Sequence, residues 1–197
     1  MNADGGDQRR LTTRYGVVDS PSLSPDGQWV VYAESGFGGS HIEIQQIDGS
    51  DRRSLVRNGG YASDPEFSPD GKHIVYSQGG IYVVPLEGGR IHRLTRRNGL
   101  RPDYSPDGSH IVFYEHLGKR LKTFVMRADG SHLHSVPCSS RTPAYSPNGN
   151  RLAFSVGAKP TGTDIWTTRL SKPCNRRAVT HLPGAAFDPS WQPLLAG

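Results

Sequence analysis

Short apolar, β-prone runs recur along the chain, and each is preceded by the same turn. Trp29-Val30-Val31-Tyr32, Ile74-Val75-Tyr76, Ile111-Val112-Phe113-Tyr114 and Leu152-Ala153-Phe154 follow Ser24-Pro25-Asp26-Gly27, Ser68-Pro69-Asp70-Gly71, Ser105-Pro106-Asp107-Gly108 and Ser146-Pro147-Asn148-Gly149. A further run follows each: Ile42-Glu43-Ile44, Ile81-Tyr82-Val83-Val84, Thr123-Phe124-Val125-Met126 and Ile165-Trp166-Thr167. Ahead of each turn stands Pro-x-aromatic or Pro-x-Leu: Pro21-Ser22-Leu23, Pro65-Glu66-Phe67, Pro102-Asp103-Tyr104 and Pro143-Ala144-Tyr145, with Pro189-Ser190-Trp191 beginning a fifth copy. Asp48-Gly49, Gly88-Gly89 and Asp129-Gly130 mark a second tight turn before an Arg-rich fourth run. In the first turn proline presets φ at the corner and glycine accepts positive φ. No stretch holds a helical period.

The Ser-Pro turns are spaced by 44, 37 and 41 residues, within the range of propeller blades. Four short strands per unit, joined by tight turns, predict an all-β fold, a β-propeller of four-stranded antiparallel blades. Four complete blades are expected, at about 16–57, 60–97, 100–138 and 140–182, with a split partial blade made of 1–12 and 183–197. Leu23, Phe67, Tyr104, Tyr145 and Trp191 then occupy equivalent core positions between neighbouring blades. The chain opens in the middle of a unit, which predicts either a fragment of a longer propeller or a short chain that closes or assembles with partners. An open arc would leave Tyr32 and the surroundings of Trp166 wet and would favour self-association through the terminal blades.

These residues resemble the TolB-type propeller repeat. Met1-Asn2-Ala3-Asp4-Gly5 with Arg9-Arg10-Leu11-Thr12, Met126-Arg127-Ala128-Asp129-Gly130 and Arg93-Leu94-Thr95 extend the match over nearly the whole chain. The resemblance implies a non-enzymatic module of the cell envelope, periplasmic or otherwise extracytoplasmic, that meets a protein partner, a lipoprotein or a peptide, at its channel mouth. Such repeats also accompany enzymes, so the alternative is a fragment of an enzyme-associated propeller, a peptidase gating domain or a polysaccharide-degrading enzyme. The α/β domain of TolB has no counterpart in the sequence.

Composition narrows the chemistry. Gly 24 and Pro 15 in 197 residues mark a turn-rich chain, and 23 Lys+Arg against 18 Asp+Glu leave a net charge of +5. No apolar run is long enough to span a membrane, and the polar, acidic start does not read as a signal peptide. There is no Gly-x-Ser-x-Gly elbow, and in Gly157-Ala158-Lys159-Pro160-Thr161-Gly162-Thr163 the lysine precedes the second glycine, so no phosphate loop is read. No catalytic residue, cofactor or metal is expected. His132 and His134, two apart in a strand, would share a face; a metal site with His116 is set against plain surface histidines, which the missing acidic or thiolate partner favours. Arginines gather on the outermost strands, where charge discourages edge pairing. The aromatics lie in the inner strands, so nucleic acid is not expected as a partner.

Two positions test the topology. Cys138 follows a fourth strand, whereas Cys174 falls between a third and a fourth, so the sulfurs are expected on opposite faces of the disk as free thiols. The upper ends of the first strands carry Asp64, Glu66, Arg101, Asp103, Arg141 and Asp188, the candidate binding residues of the channel mouth. Carboxylates converging there suit Ca²⁺ or a basic peptide. The competing reading is solvated loop-end charge that an incomplete arc keeps apart.

Overall fold

The computed structural model describes residues 6, 8–12, 16–36, 38–57, 60–137, 141–158, 162–180, 186 and 188–191. These residues form four four-stranded antiparallel sheets, each with its strands in chain order, and no helix. Blade 1 holds β1 (Val17–Leu23), β2 (Trp29–Gly36), β3 (Gly39–Gln46) and β4 (Arg53–Val56). Blade 2 holds β5 (Ser63–Phe67), β6 (His73–Ser77), β7 (Ile81–Pro85) and β8 (His92–Arg93). In blade 3 the strands are β9 (Gly99–Tyr104), β10 (His110–Leu117), β11 (Arg120–Arg127) and β12 (His134–Val136). Blade 4 has β13 (Arg141–Tyr145), β14 (Arg151–Ala158), β15 (Gly162–Arg169) and β16 (Lys172–Ala178). The first strands stand side by side, β1 against β5, β5 against β9 and β9 against β13. This is the propeller arrangement expected from the repeat, with the first strands innermost.

Each Ser-Pro turn closes the same way. In blade 2, Ser68 Oγ donates to Asp70 and accepts the amide of His73 at 3.0 Å, while Asp70 accepts the amide of Lys72 at 3.1 Å. Gly71, at φ +69°, supplies the left-handed corner and donates its amide to Ser68 O. The same bonds recur at Ser24, Ser105 and Ser146, with Asn148 replacing aspartate in the last. Three apolar clusters fill the gaps between blades. Val31, Ile44, Phe67 and Tyr76 join blades 1 and 2; Val75, Tyr104, Phe113 and Met126 join 2 and 3; Val112, Tyr145, Leu152 and Phe154 join 3 and 4. Each such side chain contributes roughly 1.5–3 kcal/mol when fully buried.

Several expectations need correction. Phe67, Tyr104 and Tyr145 are 5%, 8% and 8% exposed, but Leu23 is 58% exposed. Its counterparts each pack against the preceding blade, and no described strand precedes blade 1. Trp191 is half-buried and donates its indole N–H to Ala144 O at 3.2 Å. Tyr32, expected to be wet in an open arc, is 1% exposed. Its hydroxyl bonds Gln45 Oε1 at 3.0 Å, and Gln45 Nε2 in turn donates to Leu11 O at 3.0 Å, so the segment containing Leu11 lies over this side of blade 1. Trp166 is half-buried beneath the guanidinium of Arg176, 5.0 Å from the ring centre.

The expected pair of free thiols is also overturned, because Cys174 is disulfide-bonded. It lies inside β16 rather than in a turn, within a stretch where Pro173 to Arg176 stand opposite the single residue Thr168. Opposite faces follow only with Cys174 in a turn, which is not where the structure has it. Pro137, just past β12, and Pro173 line one cleft. The sequence's other cysteine, Cys138, lies outside the described residues.

Candidate channel-mouth binding site

The upper end of every first strand carries an irregularity absent from the sequence pattern. Three steps along the first strand stand opposite two along the second between Asp19 and Ser22, Ser63 and Glu66, Leu100 and Asp103, and Arg141 and Ala144. Each is a one-residue β-bulge, a device that re-aims side chains. The residue before the proline adopts positive φ each time: Ser20 at 49°, Asp64 at 51°, Arg101 at 50°, Thr142 at 48° and, in the fifth copy, Asp188 at 52°. Proline fits this bulge because it has no amide hydrogen to leave unpaired. A non-glycine residue held there costs on the order of 1–3 kcal/mol, and such strain gathers at functional sites.

The five turned-out residues surround a cavity of about 450 Å³ at the inner ends of the blades. Asp64, Glu66, Arg101, Asp103 and Asp188 all line it. Five of the six candidates thus line one cavity rather than standing apart. Arg101 bridges two carboxylates, with Nε 3.3 Å from Asp64 Oδ1 and Nη1 2.9 Å from Asp188 Oδ1. Ser20 donates to Asp64 Oδ1 at 3.3 Å and Ser63 to Asp64 Oδ2 at 3.0 Å. Arg141, the sixth candidate, is not among the lining residues; its Nε is buried without a partner among the described residues.

Beneath this charged rim sit two carboxyls that prefer their protons. Burial pushes Glu66 up to about 8, helped by the charge of Asp103 and opposed by a hydrogen bond from Ser22. Burial likewise raises Asp103 to about 7, against backbone bonds from Tyr145, at 2.7 Å, and Tyr104. The pair holds at least one proton at neutral pH, so the floor of the mouth is less anionic than its composition suggests. Ser20 and Thr142 complete the ring but carry no charge, so inspection of loop-end charges passes over them. Their signal was the residue before the proline, common to all five copies.

The other candidate clusters do not assemble. His132 precedes β12 at φ +55°, and its carbonyl accepts from His134 Nδ1 at 2.9 Å, so the two rings do not share a strand face. His116 packs against Tyr114 at 5.8 Å. Among the described residues no group of three His, Cys, Asp or Glu side chains is arranged to hold a metal. Ser109 and His110 are in contact at 2.6 Å, but Asp107 bonds the serine rather than the imidazole, which makes a turn network and not a nucleophile relay.

Comparison with known proteins agrees with this architecture. The model of the TolB beta propeller domain family matches residues 1–141. Tol-Pal system protein TolB of Zymomonas mobilis subsp. mobilis is 35% identical over 85 residues, which cover 42% of this chain and 18% of that protein. The match thus spans less than a fifth of the length of that relative. TolB from Acinetobacter baumannii superposes with a TM-score of 0.75 at 20% identity, covering 86% of this chain and 45% of that one. A Mycobacterium tuberculosis puromycin-hydrolyzing peptidase superposes at 0.70 and 15% identity, covering 90% and 31%. Structural likeness at these identities shows the fold alone, which hosts both enzymes and non-enzymes. With four Ser-Pro turns in register and a family match over most of its length, the chain belongs to the TolB beta propeller domain family.

Proposed function

We propose that this chain is a non-enzymatic binding module of the cell envelope whose channel mouth receives a protein partner, an envelope lipoprotein or a peptide segment of one. The observation that carries this reading is the ring of strained pre-proline residues. Five equivalent backbone sites place four kinds of residue, a serine, a threonine, an arginine and two aspartates, around one cavity, and a recognition surface needs such variety on a rigid frame. The Tol-Pal relative supports an envelope assembly. The disulfide at Cys174 fits an oxidising compartment. The mouth offers carboxylates, a guanidinium and hydroxyls, groups that suit polar recognition of a partner.

The test is a titration of the chain against the soluble domain of a Tol-Pal lipoprotein, with Arg101→Asp as the variant. Reversing that charge leaves Asp64, Asp188 and the new carboxylate facing one another across the mouth. Binding by the native chain and its loss in the variant, with the fold intact by circular dichroism, is the expected result. Equal binding by both chains contradicts the reading.

A further inference from the structure

A second cleft borders blades 3 and 4, meets the channel mouth at Tyr145 and Pro147, and measures about 800 Å³. This is within the size range of small-molecule sites. We infer that it is a binding site for a planar aromatic ligand that carries an N–H or O–H donor. The argument rests on the repeat itself. Trp29 and His110 are equivalent, since each opens its blade's second strand and starts the pairing with the third, opposite Gln46 and Arg127 respectively. Arg53 and His134 are equivalent too, paired with Ile44 and Val125, each two residues earlier on that third strand. In blade 1 the indole of Trp29 packs on the cluster joining blades 1 and 2, and Arg53 stacks over it at 5.8 Å. In blade 3 the same two places hold His110 and His134, and both line the open cleft. An imidazole is smaller than an indole, so the volume that Trp29 fills in one interface is left open in the other.

The polar chemistry of the cleft complements such a ligand. Ser109 Oγ donates to Asp107 at 2.7 Å, so its contact with His110 Nδ1 at 2.6 Å is one in which the imidazole donates. His134 Nδ1 donates to the His132 carbonyl at 2.9 Å. With Nδ1 of both rings engaged as a donor, Nε2 is the ring nitrogen left to meet a ligand's donor. The apolar walls come from Val125, Val136 and Leu170. Two ring acceptors beside an apolar wall call for a flat ring with a donor on its edge. Between blades 2 and 3 the corresponding cleft is smaller, about 570 Å³, and contains His73 but not His92. The pair of imidazoles is therefore particular to blades 3 and 4 among these clefts.

Indole is the probe, and 1-methylindole, which lacks the donor, is its control. Binding is read from the methyl NMR signals of Val125, Val136 and Leu170. Saturable binding of indole with shifts at these methyls is expected, with 1-methylindole weaker by about fivefold for the lost hydrogen bond. His110→Trp, which installs the plug found in blade 1, is expected to weaken indole by at least about tenfold while keeping the native melting temperature or raising it. If that variant fails to fold, His134→Arg, a change at an exposed position, gives the same reading through a loss of about fivefold. No saturable binding up to the solubility of indole, methyl shifts confined to other residues, or undiminished affinity in the folded variant would overturn the assignment.

Discussion

The two ends of each channel-lining strand are built on opposite plans. At the lower end the same side chains recur in every blade but for Asn148 in the last, and Ser68, Asp70 and Gly71 make the bonds their counterparts make elsewhere. At the upper end the backbone recurs, with a φ near 50° in all five copies and a bulge in the four complete blades, but the side chains vary: Ser20, Arg101, Thr142 and the aspartates Asp64 and Asp188. A position where the repeat fixes the side chain serves the frame, because one solution to a local hydrogen-bonding problem suffices for every copy. A position where the repeat fixes only the backbone is available for recognition. Two of the carboxyls, one in a turn and one in the floor of the mouth, titrate in opposite senses. Hydrogen bonds from Ser105 and Ser109 hold Asp107 down at about 2, whereas burial holds Glu66 up at about 8.

Phe67, at the lower end of β5 between blades 1 and 2, sets the scale for this comparison. Phe67→Ala should cost about 3–5 kcal/mol, measured by denaturant unfolding, and exceed any single change in the bonds of either end. The next effect is on pH. Glu66 and Asp103 bind protons more tightly when folded, at about 8 and 7, than when unfolded, near 4.5 and 3.8. Stability from this pair is greatest below the unfolded values and falls as pH rises through that window, by an amount on the order of a few kcal/mol. Glu66→Gln should flatten the decline in melting temperature between about pH 5 and 8. A decline as steep as in the native chain would place its source elsewhere. The turn aspartates act the other way, because their folded values are lowered. Their contribution is present above the ordinary value of 3.8 and disappears as pH falls below it.

Ser68→Ala is expected to cost about 1–3 kcal/mol, since it removes the acceptor for the His73 amide and the donor to Asp70 at a buried position. Asp64→Gly should do the reverse at the upper end. Relief of the left-handed backbone should raise stability by about 1 kcal/mol while partner binding weakens. If Asp64→Gly destabilises, the contacts of Asp64 with Arg101, Ser20 and Ser63 outweigh the strain.

The blades were legible because turn chemistry and spacing agree: a proline, a carboxylate and a glycine at fixed offsets ahead of β-branched runs leave little freedom. The charges at the mouth were legible as loop-end residues. Their convergence was not, because it depends on a one-residue bulge, and a bulge changes pairing without altering the alternation that sequence displays. Leu23 was misjudged for a related reason, since its pattern matches Phe67 and only the neighbouring sheet distinguishes them. The thiol assignment started from Cys174 in a turn, whereas the residue lies within β16, in a bulge that no spacing announces. The segment around Leu11 covers Tyr32 through the side chain of Gln45, a long-range bond that no local pattern announces.

The central claim is that the variable upper end, not the repeated lower end, meets the partner. A photo-crosslinking residue placed at Ser190, exposed on the mouth, and separately at Gln28, exposed beside a Ser-Pro turn, tests it in cells. The account predicts a discrete adduct with an envelope protein from Ser190 and none from Gln28. An adduct from Gln28 alone, or the same adduct from both, would contradict it.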